Sequence, residues 1–203
     1  MLKTCLICHK PIKSNFILSK TQICRQCFRR FHFVYKNIKL NGHKCLIIYE
    51  YDDFLEENLI NLKGYYDISL AKTFIFHLKN ILKIKYFGHT ILPIPSSEQA
   101  NKRRGFNHVV EIFSCLDLPI INCFSKTKNI KQASFSKFNR LKISNYIQLD
   151  DSKLDPKRRY LLVDDITTTH NSVLTCLKLL EHSRINKVSI LIIATKIKKS
   201  IKN

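Results

Sequence analysis

The sequence predicts an α/β domain, a parallel sheet flanked by helices, behind a small metal-binding module at the N-terminus. Two observations carry the prediction. From residue 45 onward, short apolar runs alternate with stretches of helical spacing. Before that point, five of the eight cysteines fall within the first 45 residues, and four of these form two Cys-x-x-Cys pairs.

The strands and helices are read in order. Cys45–Tyr49 is a short β-rich run, followed by helical spacing over Phe54–Leu62 and Ile68–Ile84. Thr90–Ile94 reads as a buried strand ending at Pro95, where the missing N–H stops the ladder. Asn107–Leu116 places Val109, Val110, Phe113 and Leu116 on one helical face. Pro119–Ile121 begins another strand. Tyr160–Val163 reads as a central strand, a helix follows from about Asn171 to Glu181, and Lys187–Ala194 is a further strand. Strands alternating with helices imply a doubly wound sheet, in which ligands bind beyond the carboxyl ends of the strands.

Cys5-x-x-Cys8 and Cys24-x-x-Cys27 stand fifteen residues apart, the spacing of a four-cysteine zinc site. Disulfides would require an oxidising compartment, and the N-terminus shows no secretory leader. A redox Cys-x-x-Cys would not come in duplicate. Lys3, Lys10, Arg25 and Arg29 favour thiolates by their charge. The chain is therefore divided into a zinc module, residues 1–44, stabilised by its structural metal, and a larger domain, residues 45–203. Phe28, Phe31 and Tyr35 follow at helical spacing and are expected to pack inward. Cys45, Cys115, Cys123 and Cys176 are read as buried small apolar residues.

The 203 residues carry 35 Lys+Arg against 15 Asp+Glu, a net charge of +20. Ordinary small domains carry about 2–8. A polyanion partner follows from this, although the predominance of lysine also reflects base composition. Residues 1–49 hold ten basic residues and no acid, and residues 118–149 hold six and no acid. The acids gather at Glu50, Asp52, Asp53, Glu56 and Glu57. No apolar run approaches the ~20 residues that span a bilayer.

The strongest chemical motif is Tyr160-Leu161-Leu162-Val163-Asp164-Asp165-Ile166-Thr167-Thr168-Thr169-His170-Asn171-Ser172. An apolar strand delivers two carboxylates, then a hydroxyl-rich loop, then a helix. Backbone N–H groups and hydroxyls can cradle a phosphate at the helix start. The carboxylates can accept hydrogen bonds from sugar hydroxyls or support a Mg²⁺ shell.

This motif resembles that of the type I phosphoribosyltransferases: two acids, two further residues, then Thr-Thr-Gly-x-Thr. The resemblance implies a type I phosphoribosyltransferase-like sheet that binds phosphoribosyl pyrophosphate (PRPP) with Mg²⁺. Asp164 and Asp165 would hold the ribose, and Thr168, Thr169, His170, Asn171 and Ser172 the 5′-phosphate; Thr167 would belong to the same PRPP-binding set. Two further segments, Leu92-Pro93-Ile94-Pro95 and Arg104-Gly105-Phe106-Asn107, are similar to those of the ComF family of competence proteins. So are the N-terminal four-cysteine finger, Tyr49 and Tyr51, Leu62-Lys63, and Gln132 with Arg140. The order of these pieces matches over nearly the whole chain.

The chain departs from the pattern at His170, where the motif has glycine, at Ser172 in place of threonine, and at His108 in place of glutamine. Lys126 stands where many members carry arginine. Glycine allows positive φ and close approach of a phosphate, so His170 weakens transferase chemistry more than ligand binding. A histidine there could instead offer a cation to a phosphate.

The resemblance implies a cytoplasmic competence protein, or one peripheral to the inner membrane face. It would handle transforming single-stranded DNA beside a DNA-translocating helicase or other competence proteins. The alternative is an active phosphoribosyltransferase with an unidentified acceptor. Arg103, Arg104 and Lys63 are candidates for pyrophosphate. Arg25, Arg29, Arg30, Lys102, Arg103, Arg104, Lys126, Lys128, Lys131 and Arg140 are candidates for DNA phosphates.

Overall fold

The computed structural model describes residues 4–12, 22–127 and 146–196. Helix α1 (Arg25–Arg29) leads into a hairpin of β1 (Phe33–Leu40) and β2 (His43–Glu50). Helices α2 (Asp53–Gly64), α3 (Ala71–Ile75) and α4 (Lys79–Lys85) follow, then β3 (His89–Pro93), α5 (Glu98–Arg104) and α6 (His108–Ser114). A small pair, β4 (Phe124–Thr127) and β5 (Tyr146–Leu149), precedes β6 (Arg159–Thr167), α7 (Asn171–His182) and β7 (Val188–Thr195).

The main sheet has the order β1-β2-β7-β6-β3. Strands β2, β7, β6 and β3 are parallel, and β1 pairs antiparallel with β2. The expected α/β architecture is therefore present, with helices on both faces. Alternation along each strand builds two cores. Leu161, Val163, Leu191 and Ile193 pack with α2, α3, α6 and the cysteine module. Tyr160, Leu162, Ile190 and Ile192 pack with α7 and the β4–β5 pair.

Three local expectations are corrected. The helix read through Tyr35 stops at Arg29, and Phe33 begins a strand. Asn41 and Gly42, at φ 47° and 82°, make the two-residue turn that suits a twisted hairpin. That turn gives Phe33–Leu40 a partner, which overrides its helical spacing. Phe31 does pack inward, 5.1 Å from Tyr49 and 5.2 Å from Phe54 between ring centroids. Tyr35 instead lies exposed beside a register shift in the hairpin. The helix expected over Ile68–Ile84 is broken into α3, α4 and two 3₁₀ turns. The strand expected at Pro119–Ile121 is a single parallel bridge, Ile120 against Ile91.

The acidic run opens α2. Asp52 Oδ1 accepts the Leu55 N–H at 2.9 Å, and Asp53 and Glu56 lie in the first turn, where the helix dipole favours negative charge.

Candidate functional site

Tyr160, Leu161, Leu162 and Val163 of β6 are fully buried, so the paired acids emerge at the carboxyl edge of a fixed strand. Alternation separates them. Asp165 follows Leu161 and Val163 onto the face of α2 and α6, while Asp164 takes the alternate position.

Buried Asp165 forms a close ion pair with Lys63 Nζ from the last turn of α2. His108 Nε2, from the first turn of α6, faces the same Oδ2 at 3.4 Å. Arg104 closes the group. Its Nε donates to the Lys63 carbonyl at 3.1 Å, and its Nη1 donates to His108 Nδ1 at 2.8 Å and to Asn101 Oδ1 at 3.4 Å. Burial alone would raise the Asp165 carboxyl, but the Lys63 charge and the His108 contact hold it well below the usual carboxylate range. Asp164 moves the other way: burial, then the Asp165 charge, push it well above that range. Its Oδ1 accepts the Asp165 N–H at 2.9 Å. The two acids are thus an unlike pair, one firmly ionised and one readily protonated.

The Arg-Gly-Phe-Asn segment is the joint that makes this possible. Gly105, at φ 81°, ends α5 in the left-handed conformation. Asn107 Oδ1 then caps α6, accepting from the Val109 and Val110 N–H groups at 3.0 and 3.4 Å. The tight turn swings Arg104 back and buries His108 beside Asp165.

After the acids, Thr167 Oγ1 accepts the His170 N–H at 3.0 Å and lies 3.0 Å from His170 Nδ1. The Thr195 hydroxyl donates to the Thr167 carbonyl at 2.8 Å, tying the loop to β7. His170 adopts φ 57°, ψ 5°, so the left-handed conformation is kept without glycine. Burial lowers its pKa. That burial disfavours the charged form of the ring. Thr168, Thr169 and Asn171 are exposed and Ser172 half-buried. Among the described residues no side chain caps helix α7, which leaves its first N–H groups for an anion.

The four cysteines converge as expected. Their sulfurs all lie within 4.8 Å of one another, and Cys8 and Cys24 Sγ are 3.7 Å apart. A tetrahedral ion with metal–sulfur bonds of about 2.3 Å needs sulfurs about 3.8 Å apart, so this set fits one. Backbone N–H groups already point at sulfur: Cys24 N to Cys5 Sγ at 3.3 Å and Cys27 N to Cys24 Sγ at 3.4 Å. Burial opposes ionisation of Cys5, but such N–H contacts bring it down to about 7. The other four cysteines are buried or half-buried. Burial pushes Cys45 and Cys123 up to about 12.

The remaining candidates are dispersed. Arg25 and Arg29 lie exposed on α1, and Arg30 is exposed over the Phe54 ring at 4.0 Å. Arg103 is exposed, Lys102 pairs with Glu98 at 2.9 Å, and Lys126 is half-buried on β4. Arg104 faces inward. Lys128, Lys131, Gln132 and Arg140 lie outside the described residues. A cavity of about 630 Å³ beside Lys44, Tyr86 and His89 opens at the amino ends of the strands, away from this edge.

Two residues at the centre of the site leave little trace in the sequence pattern. His108 stands out there only as a departure from a motif, and Lys63 only as a weak pyrophosphate candidate. Their approach to Asp165 spans 57 and 102 positions of chain (165 − 108 and 165 − 63), beyond any local signal.

Paired acids on a central strand, a hydroxyl-rich loop and an open helix start, with a four-cysteine cluster in front, are the features by which the chain resembles the type I phosphoribosyltransferases. The chain resembles the ComF family of competence proteins. The competence protein ComFC of Bacillus subtilis (strain 168) is 26% identical over 167 residues, covering 81% of this chain and 66% of the relative. The match thus spans just under two thirds of that relative's length. No family model matches the chain. Similar solved structures include an adenine phosphoribosyltransferase from Saccharomyces cerevisiae, 16% identical, with a TM-score of 0.42 over 88% of this chain and 90% of that one. A purine phosphoribosyltransferase from Pyrococcus horikoshii Ot3 is 15% identical, with a TM-score of 0.41 over 68% of this chain and 79% of that one. Among the described residues, no helix is long and apolar enough to cross a membrane.

Proposed function

We propose that this chain is a competence protein that binds PRPP with Mg²⁺ at the carboxyl edge of β6 and handles transforming single-stranded DNA in the cytoplasm. One observation carries the ligand reading. The left-handed His170 keeps the loop in the form a glycine would give, directly ahead of the uncapped start of α7. Thr168, Thr169, Asn171 and Ser172 then surround the 5′-phosphate, with Thr167 fixing the loop from behind. Asp165 and Asp164 take the ribose hydroxyls. Lys63 and Arg104, two cations beside one ionised carboxylate, leave local positive charge for the diphosphate. Mg²⁺ would neutralise part of the diphosphate charge, with the two carboxylates in reach of its water shell.

The division at residue 44 belongs to the same reading, with the β1–β2 hairpin joining the module to the body. The metal in the module is Zn²⁺, which a four-thiolate set selects. DNA phosphates meet the exposed Arg25, Arg29, Arg30, Lys102 and Arg103. A helicase or another competence protein is the partner class.

A second reading, transfer of the phosphoribosyl group to an acceptor, draws support from the same left-handed His170, which removes the backbone objection. Titration calorimetry of the zinc-loaded chain with PRPP and Mg²⁺ tests the binding. Heat with the wild type and none with an Asp164→Ala/Asp165→Ala double variant is the expected result. A folded wild type that gives no heat overturns both readings of the site. Affinity for single-stranded DNA should fall with salt, at a slope of about −0.7 per phosphate neutralised.

A further inference from the structure

The cluster at Asp165 holds a histidine whose tautomer the neighbouring arginine dictates. Arg104 carries only donors, so the 2.8 Å contact from its Nη1 requires an acceptor at His108 Nδ1. A neutral imidazole with a bare Nδ1 carries its proton on Nε2, the nitrogen that faces Asp165 Oδ2 at 3.4 Å. Burial lowers the His108 pKa more than Asp165 raises it, which keeps the ring neutral near pH 7. Arg104 therefore sets the proton on the His108 nitrogen that faces Asp165, a charge–dipole contact at 3.4 Å that is longer than a hydrogen bond, with Lys63 meeting the same carboxylate from α2.

We propose that His108 is a positioning residue for the ligand site: Arg104 locks it as the Nε2–H tautomer, and that N–H holds Asp165 in place as an acceptor. The proposal rests on the reading that Asp165 receives a ligand hydroxyl. A carboxylate clamped from two sides presents one fixed, ionised group, and preorganisation of that kind raises affinity without new contacts. The charged and titratable groups around Asp165 are Lys63 on α2, Arg104 on α5, His108 on α6, Asp164 beside it on β6 and Tyr51 after β2. Of these, only His108 is fixed by a second residue in which nitrogen carries its proton. Glutamine can reproduce the pattern, accepting from Arg104 with Oε1 and donating to Asp165 with Nε2. Leucine cannot.

The experiment uses the zinc-loaded full chain with ¹⁵N-labelled histidine and ¹³C-labelled aspartate carboxyls. At pH 7, His108 should show a bare Nδ1 and a protonated Nε2. A ring protonated on Nδ1, or on both nitrogens, overturns the proposal. The Asp165 carboxyl should stay ionised to the acid limit of folding in the wild type and in His108→Gln, and should take up its proton above that limit in His108→Leu. A folded His108→Leu chain whose Asp165 also stays ionised to that limit overturns it. If that variant fails to fold, Arg104→Met provides the test: His108 should lose its fixed tautomer, and an unchanged ring spectrum refutes the lock. PRPP affinity should drop at least tenfold in His108→Leu and be rescued by His108→Gln. Failure of the wild type to bind PRPP would sink the ligand reading, while the ring and carboxyl spectra would still decide the tautomer lock.

Discussion

Lys63→Met removes one charge from the ion pair at Asp165 while keeping most of the apolar stem, and its cost should depend on pH in a calculable way. An orphaned Asp165 either stays buried as an anion or takes up a proton, and the cheaper course sets the penalty. Protonation costs about 1.36 kcal/mol for each unit between the solution pH and an ordinary carboxyl pKa near 3.9. The ceiling is therefore about 4 kcal/mol at pH 7 and about 1.5 kcal/mol at pH 5. Breaking a buried pair from one side commonly costs about 3–5 kcal/mol. Here Lys63 is 30% exposed against 8% for Asp165. Water and His108 recover part of the loss, so we expect about 2–3 kcal/mol at pH 7. The wild-type carboxyl, depressed by Lys63, keeps its full contribution across pH 5–7, because that contribution is lost only as pH falls below the unfolded-state pKa through the folded value. The orphaned carboxyl of the variant, raised by burial, is what changes over this range, and its cost falls as pH drops. The gap between wild type and variant should shrink on acidification. Urea unfolding of the zinc-loaded chains at pH 5, 6 and 7 measures it. The same gap at pH 5 and pH 7 would refute the reasoning, because it would show that the missing charge is not what the variant loses.

Three other outcomes are expected. Burial brings His77 down to about 4, and its Nδ1 has no hydrogen-bond partner among the described residues while Nε2 meets the Tyr49 hydroxyl at 2.9 Å. Because its folded pKa is depressed, wild-type stability should fall by about 3 kcal/mol as pH drops from about 6.5 to 4, and His77→Phe should lose that part of the acid sensitivity in urea titrations. His170→Val places a β-branched residue at φ 57°, so the thermal unfolding midpoint should fall by an amount equal to about 1–2 kcal/mol, with loss of PRPP binding. Equal stability of the two chains would show that the loop does not need the left-handed residue. Chelation of the metal should expose the thiols of Cys5, Cys8, Cys24 and Cys27 to a thiol reagent and lower the unfolding temperature. If those thiols react equally fast with and without chelator, the cluster does not hold a metal.

Much of the sheet was legible because parallel strands buried on both faces leave long apolar runs. Tyr160–Val163 and Lys187–Ala194 fall on β6 and β7, and the helix after the acids falls within a residue of its expected limits. Strand β1 was hidden for the converse reason. It lies at the sheet edge, half its positions face water, and its aromatic spacing also fits a helix. The Asn41-Gly42 pair was the available signal, a two-residue turn between pairable segments. The segment from Ile68 to Lys85 misled because helical periodicity records which face is apolar and is blind to a change of pitch. The backbone turns tighter at Ile68–Leu70 and again at Phe76–Leu78, on either side of α3.

By itself, the sequence determined what depends on near neighbours. The Cys-x-x-Cys turns, the apolar strand that ends in two acids, and the threonine loop ahead of a helix are all local, because the residues involved are joined by a few bonds. Tertiary structure alone decided how the two acids differ. Lys63 and His108 arrive from two helices at one face of β6, with Arg104 behind them from a third, and hold Asp165 low, whereas burial and the neighbouring Asp165 charge raise Asp164. Electrostatic energy depends on distance through space and on the water excluded between charges. Neither quantity exists until the chain has closed the sheet and packed α2, α5 and α6 against its carboxyl edge.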